Sequence, residues 1–335
     1  MELSFKSTLV VTALIGTLLC QNGCARVQKA DSKSPTAQMI PVGRGVSLEV
    51  LDWGGTGHAL VLLTGLADDA HIFDQFAPKL TAKYHVYGIS RRGRGASSKP
   101  EANETNYTAS QVGDDALAVI DALHLNKPVI AGHSIAGEEL SYIGSQHPDK
   151  VAGLIYMEAA YPYGLYDQVN GNLGLDAIAL RKELVQFTTG YDYEPVRDYK
   201  AVLADLDRVE KEIERHEQAT KDLPPTPVSP RMTPDLFAIL ESRERFTAIQ
   251  VPALVIFGVD PSPASGTDPQ ALALAARQAL MTDAKTAQIA AVKRQMPSAQ
   301  VVLIPRASHY VFQSNEAQVL HVMNEFIATL PLGKT

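Results

Sequence analysis

Val129-Ile130-Ala131-Gly132-His133-Ser134-Ile135-Ala136-Gly137 decides how this chain is read. An apolar run enters a glycine, a serine follows at once, and small residues come directly after it. That is the pattern of a buried strand turning sharply into a helix. A serine on so tight a turn is forced outward, with its hydroxyl above the sheet. Gly132, Ala136 and Gly137 supply the small neighbours that let strand and helix backbones come close. The helix aims its N-terminal N–H groups and positive dipole end at the same place. A serine there also suits a helix N-cap, so Ser134 becomes a nucleophile only with support from the rest of the chain.

On either side, apolar runs alternate with helical patterns, as in a parallel sheet covered by helices. Ser47 to Trp53 alternates like a half-exposed strand, whereas Ala59 to Leu63 is continuously apolar, as a strand buried on both faces should be. Further strands are expected at His85–Ile89, Pro128–Ala131, Val151–Met157, Pro252–Phe257 and Val301–Ile304. Helices fit Thr108–Leu125 and, at the end, Glu316–Leu330. Residues 160–247 break the alternation. There Val196, Tyr199, Leu203, Leu206, Val209 and Ile213 recur at helical spacing, and a Pro-rich loop follows from Leu223 to Pro230. The stripe is too short for a coiled-coil seam, so no oligomeric state is assigned. The expected division is a core over 39–159 and 248–335, with a helical cap over 160–247. Residues 269–296 form a second, mostly helical insertion.

Several ordered motifs together resemble the α/β-hydrolase family. Gly132-His133-Ser134-Ile135-Ala136 is similar to its nucleophile elbow G-x-S-x-G, with alanine in the last position. Leu62-Leu63-Thr64-Gly65-Leu66 ends a strand as the family's His-Gly turn does. Ser90-Arg91-Arg92-Gly93-Arg94-Gly95-Ala96-Ser97 is similar to its D-x-R-G-x-G-x-S turn, and is better read as that structural turn than as a phosphate site. The resemblance implies the α/β-hydrolase fold: a mostly parallel central sheet flanked by helices, with a helical cap inserted after the sixth strand. It makes Ser134 the nucleophile and the backbone N–H groups of Leu66 and Ile135 the oxyanion donors. His309, after the strand Val302–Ile304 and before the last helix, is the implied general base. Two carboxylates compete for the acid. Asp260, in Gly258-Val259-Asp260, keeps the family's chain order of Ser, Asp, His, and ranks ahead of Glu158, which follows the strand ending at Met157.

Such a set attacks an electrophilic carbonyl through an acyl-enzyme that water resolves. The first expectation is hydrolysis of a small-molecule carboxylic ester. Lactonase, amidase, C–C hydrolase, haloperoxidase and aminopeptidase chemistry are the alternatives on the same core. A serine nucleophile argues against the dehalogenases and epoxide hydrolases of the family, which use aspartate. A non-catalytic small-ligand-binding member of the fold is the reading from another class, and the serine, histidine and acid together speak against it. Tyr161, Tyr163 and Tyr166 open the cap directly after a core strand and are candidate substrate contacts, as are His71, Phe73 and His133. No dinucleotide fingerprint, metal-ligand spacing or phosphate loop occurs, so neither cofactor nor metal is implied.

Of the 335 residues, 45% are hydrophobic and 20% charged, which is ample for a packed core, and the formal charge of -7 gives no general attraction to nucleic acid. Lys6 followed by the largely apolar run Leu9–Leu19 reads as an export signal, since a membrane span needs roughly twenty apolar residues. Gly23-Cys24-Ala25 supplies small residues for cleavage, giving a signal over 1–25 and a polar tether over 26–38. The expectation is a periplasmic or secreted protein, with a lipid anchor at Cys24 as the one route to a membrane. Cys20 and Cys24 are the only cysteines, so cleavage after Ala25 leaves no disulfide to staple the fold.

Overall fold

The computed structural model describes residues 34–103, 105–189, 195–221, 233–259 and 269–332. The expected signal segment and most of the tether lie outside these residues. Among the described residues, eight strands form one sheet: β1 (Thr36–Gly43), β2 (Val46–Gly54), β3 (His58–Leu63), β4 (Tyr84–Ile89), β5 (Val129–His133), β6 (Gly153–Met157), β7 (Ala253–Val259) and β8 (Gln300–Pro305). Their spatial order is β1-β2-β4-β3-β5-β6-β7-β8. All pairings from β4 to β8 are parallel, and β2 runs antiparallel to both its neighbours.

β1 takes Thr36, Ala37 and Gln38 from the expected tether, which therefore ends earlier than the composition suggested. It is an edge strand whose side chains are mostly exposed apart from the core-packed Ile40 and Val42, so no hydrophobic alternation announces it.

The side chains of β3 show how the sheet is sandwiched. Val61 and Leu63 join the cluster packed by α1 (Ala109–Ala122) and α2 (Gly137–Gln146), whereas Leu60 and Leu62 join the cluster on the other face. This is the period-two alternation of a strand with both faces covered. Between β6 and β7 lies the cap, formed by α3 (Leu173–Thr189), α4 (Pro195–Thr220) and α5 (Pro234–Glu241). Between β7 and β8 runs α6 (Pro269–Gln295), whose Ala291 and Val292 pack on the α1/α2 face. The chain closes with the short α7 (Val311–Ser314) and with α8 (Glu316–Thr329), which covers the opposite face through Val319, Met323 and Phe326. Residues from Lys33 onward form one unit, core and cap together.

Four residues of the apolar stripe of α4 do not face inward. Tyr199, Leu203, Leu206 and Ile213 stay exposed, while Asp205 and Glu212 are buried. The reason is a polar hub beneath the helix. Asp176, fully buried, accepts from the Tyr166 hydroxyl at 2.6 Å and from Arg245 at 2.5 Å, and Arg208 of α4 donates to Tyr166 at 2.7 Å. A buried charge needs a partner, and Asp205 and Arg208 of α4 turn inward to supply partners to Arg245 and Tyr166.

Candidate active site

β5 delivers Ser134 to the carboxyl end of the sheet with its backbone in the left-handed region, at φ 56°. A non-glycine residue held there costs of order 1–3 kcal/mol, and such strain gathers at functional turns. The residues after Ser134 explain how the turn closes. A Cβ on Gly137 would sit 1.8 Å from the carbonyl oxygen of Ala159, so α2 can pack against the end of β6 only if that position is glycine. Ala136, where the elbow pattern has its second glycine, is fully buried and accommodated.

Ser134 Oγ lies 2.9 Å from Nε2 of His309, in the loop after β8. The other ring nitrogen of His309 faces Glu158, with Nδ1 and Oε2 3.6 Å apart. Glu158 follows β6 directly and is also held at positive φ, 52°. Its carboxylate accepts from the Gly258 N–H at 2.5 Å and from the Lys285 ammonium, on α6, at 2.9 and 2.8 Å. Burial alone would raise the Glu158 carboxyl. His309, Lys285 and the Gly258 N–H outweigh burial and hold it below the usual carboxylate range. Glu158 is therefore the carboxylate brought to His309 among the described residues; Asp260 lies outside them.

His133 is 1% exposed, and its Nε2 lies 2.9 Å from the backbone carbonyl oxygen of His309. Burial pushes this imidazole down to about 4, so it is neutral at neutral pH. A carbonyl only accepts, so the proton is on Nε2 and the lone pair on Nδ1. Nδ1 has no hydrogen-bond partner and lies 3.9 Å from the Asp68 carboxylate. The ring packs against His309, Tyr310 and Phe312 at 4.7, 4.8 and 5.2 Å. His133 thus ties the base-bearing loop to the elbow and has no place on the cavity wall.

A cavity of about 560 Å³ opens beside His309 and Glu158, lined also by Tyr163, Val259, Lys285, Ile289 and Leu303. Of the tyrosines expected there, Tyr163 reaches it. Tyr161 is buried with its hydroxyl on the Asp167 N–H, and Tyr166 belongs to the hub under α4. Phe73 is fully buried against Phe312 with ring centroids 5.0 Å apart, and His71 is exposed and bound to Asp74 at 2.9 Å. Neither lies at the cavity, because the short helix after the oxyanion turn packs on the core face. Leu66 and Ile135 fall in one apolar cluster with Tyr107, Tyr163, Ala238 and Ile239, which sets the two expected oxyanion segments side by side beneath α5. Lys285 and the Gly258 N–H were not foreseen: no local motif marks a lysine deep in a helical insertion. Among the described residues, no three His, Cys, Asp or Glu side chains are grouped to hold a metal ion.

The chain belongs to the alpha/beta hydrolase family, whose model matches residues 60–322. It is 29% identical to a fluoroacetate dehalogenase of a Burkholderia species over 35% of this chain and 39% of that protein. It is 24% identical to the 2-(acetamidomethylene)succinate hydrolase of Mesorhizobium japonicum over 36% of this chain and 42% of that protein. These matches span less than half of either relative. The solved structure of an E-2-(acetamidomethylene)succinate hydrolase superposes on 88% of this chain and 100% of its own, with a TM-score of 0.53 and 21% identity, a likeness of fold.

Proposed function

We propose that this chain is a serine hydrolase that cleaves small carboxylic esters, with Ser134 as nucleophile, His309 as general base and acid, and Glu158 as the carboxylate that orients His309. The observation that carries this is the 2.9 Å contact from Ser134 Oγ to His309 Nε2, on a histidine whose Nδ1 faces a buried carboxylate. Ser134 Oγ adds to the ester carbonyl carbon as His309 Nε2 takes its proton, and the N–H groups of Leu66 and Ile135 hold the oxyanion. Collapse breaks the bond to the alcohol, which leaves with the proton from His309. Water, deprotonated by His309, then frees the acid from Ser134.

A carboxylate on Nδ1 favours the imidazolium formed in both steps, and Glu158 is held ionised for that task. Dehalogenase chemistry, which a relative's name records, needs a carboxylate nucleophile, and the elbow carries a serine instead. On the same reading, residues 1–25 remain an export signal, resting on Lys6, the run Leu9–Leu19 and Gly23-Cys24-Ala25.

The test is hydrolysis of p-nitrophenyl acetate and p-nitrophenyl octanoate by wild type and by Ser134→Ala. Turnover that disappears in the variant supports the reading, and the chain-length preference sizes the pocket. A folded wild type that hydrolyses neither ester overturns it.

A further inference from the structure

Three consecutive carbonyl oxygens in the turn that leaves β3 accept from guanidinium groups of a single other turn. Arg91 donates through Nη2 to Thr64 at 3.0 Å and through Nη1 to Gly65 at 3.1 Å. Arg94 donates through Nε to the Leu66 carbonyl at 3.2 Å. Arg91 is buried at 5% exposure, and its Nε and Nη2 both meet the Glu139 carboxylate at 2.6 Å. Glu139 stands in the first turn of α2, the helix that continues from Ser134 and Ile135, and is itself 4% exposed.

The Gly65 carbonyl and the Leu66 N–H belong to one peptide group, and in a trans peptide they point to opposite sides. A guanidinium fixed on the Gly65 oxygen therefore sets the peptide plane and directs the Leu66 N–H away from Arg91. A cation on that oxygen also draws electron density through the amide, which makes its N–H a stronger donor. At its other end Arg91 grips the helix that directly follows the turn carrying the Ile135 N–H. One buried side chain thus fixes the spacing between the two segments expected to hold an oxyanion.

We propose that Arg91 is a positioning residue for the oxyanion hole, orienting and polarising the Gly65–Leu66 amide and holding it in register with the Ile135 amide through Glu139. This rests on the reading of Ser134 as an acylated nucleophile. An arginine that merely filled a buried ion pair would stabilise the fold without favouring the tetrahedral state over bound substrate. Arg91 favours that state, because an oxyanion gains more from a strong, fixed donor than a neutral carbonyl does.

The experiment compares wild type, Arg91→Lys and the double variant Arg91→Met with Glu139→Met. It measures kcat and KM on p-nitrophenyl acetate, inhibition by an alkyl trifluoromethyl ketone, whose adduct carries an oxyanion, and melting temperature. Lysine keeps the charge opposite Glu139 but lacks the fork that spans two carbonyls. The double variant removes both buried charges, which commonly spares a fold, so one of the two stays measurable. In Arg91→Lys, kcat falls about tenfold with KM changed less than about twofold, and ketone affinity falls in parallel; the double variant loses about a hundredfold, of the order of one oxyanion donor. Folded variants with kcat and ketone affinity within about twofold of wild type overturn the proposal. A wild type inert to both ester and ketone overturns the reading of Ser134, and this inference with it.

Discussion

Nε2 of His133 donates to the backbone carbonyl of His309 at 2.9 Å, so the residue before the nucleophile holds the loop that carries the base. His133→Phe keeps the ring and removes the donor, leaving that carbonyl without its partner at a cost of about 1–3 kcal/mol. Because the base then strays from Ser134, kcat falls more than KM rises. The pH dependence of stability changes too. His133 is neutral in the fold down to about 4 but protonates near 6.5 when unfolded, so the unfolded state binds more protons between those values. Stability of the wild type therefore falls as pH drops through that window, and thermal melts across it are less steep for His133→Phe.

Glu158→Gln keeps the shape of the side chain but removes the charge facing His309. A comparable change in a serine triad lowers kcat by about 10⁴, and a loss of at least a hundredfold is expected here. Asp260→Asn is expected to stay within a fewfold of wild type. Steady-state kinetics of the two variants side by side decide between the carboxylates, and the reverse ranking would restore Asp260 as the acid.

Lys285 meets both carboxylate oxygens of Glu158 and lies 2.8 Å from Oε2, the oxygen that also faces His309. Its charge helps to keep the Glu158 carboxyl low. Lys285→Met therefore raises that carboxyl, and the charge beside His309 is lost at a higher pH as the solution is acidified. The acidic limb of the kcat/KM profile moves upward in pH, with little change on the alkaline side. An unshifted limb would show that Glu158 is held ionised without Lys285.

Asp176 binds Tyr166 and Arg245 with no exposure of its own. Asp176→Ala leaves the arginine with an incomplete set of partners, a loss of about 3–5 kcal/mol for a buried pair. Thermal denaturation reports this cost, and limited proteolysis shows cleavage first within α3 and α4. Ser134 and His309, directly after β5 and after β8, keep their contact, so ester turnover at low temperature persists.

Much of this was legible because it is local. Ser134 is marked by an apolar strand meeting small residues, and His309 by a strand end just before the last helix. The acid was not settled in the same way. Gly258-Val259-Asp260 and Met157-Glu158 are both strand ends, and nothing in either stretch says which carboxylate meets His309 across the edge of the sheet. β6 lies beside β5, the strand that carries Ser134, and this adjacency belongs to topology. Phe73 lay in sequence beside the oxyanion turn, yet its short helix folds onto the core. The arginine turn was recognised as structural, while its grip on the Thr64, Gly65 and Leu66 carbonyls joins stretches far apart in sequence and has no periodic or compositional sign.

The most direct test is reaction of the purified protein with a fluorophosphonate, followed by peptide mass mapping. A single adduct on the peptide containing Ser134, absent in Ser134→Ala and strongly slowed in His309→Ala, is the expected result. A folded protein that forms no adduct, or one labelled elsewhere while Ser134 stays unmodified, would contradict the central claim that Ser134 is the nucleophile.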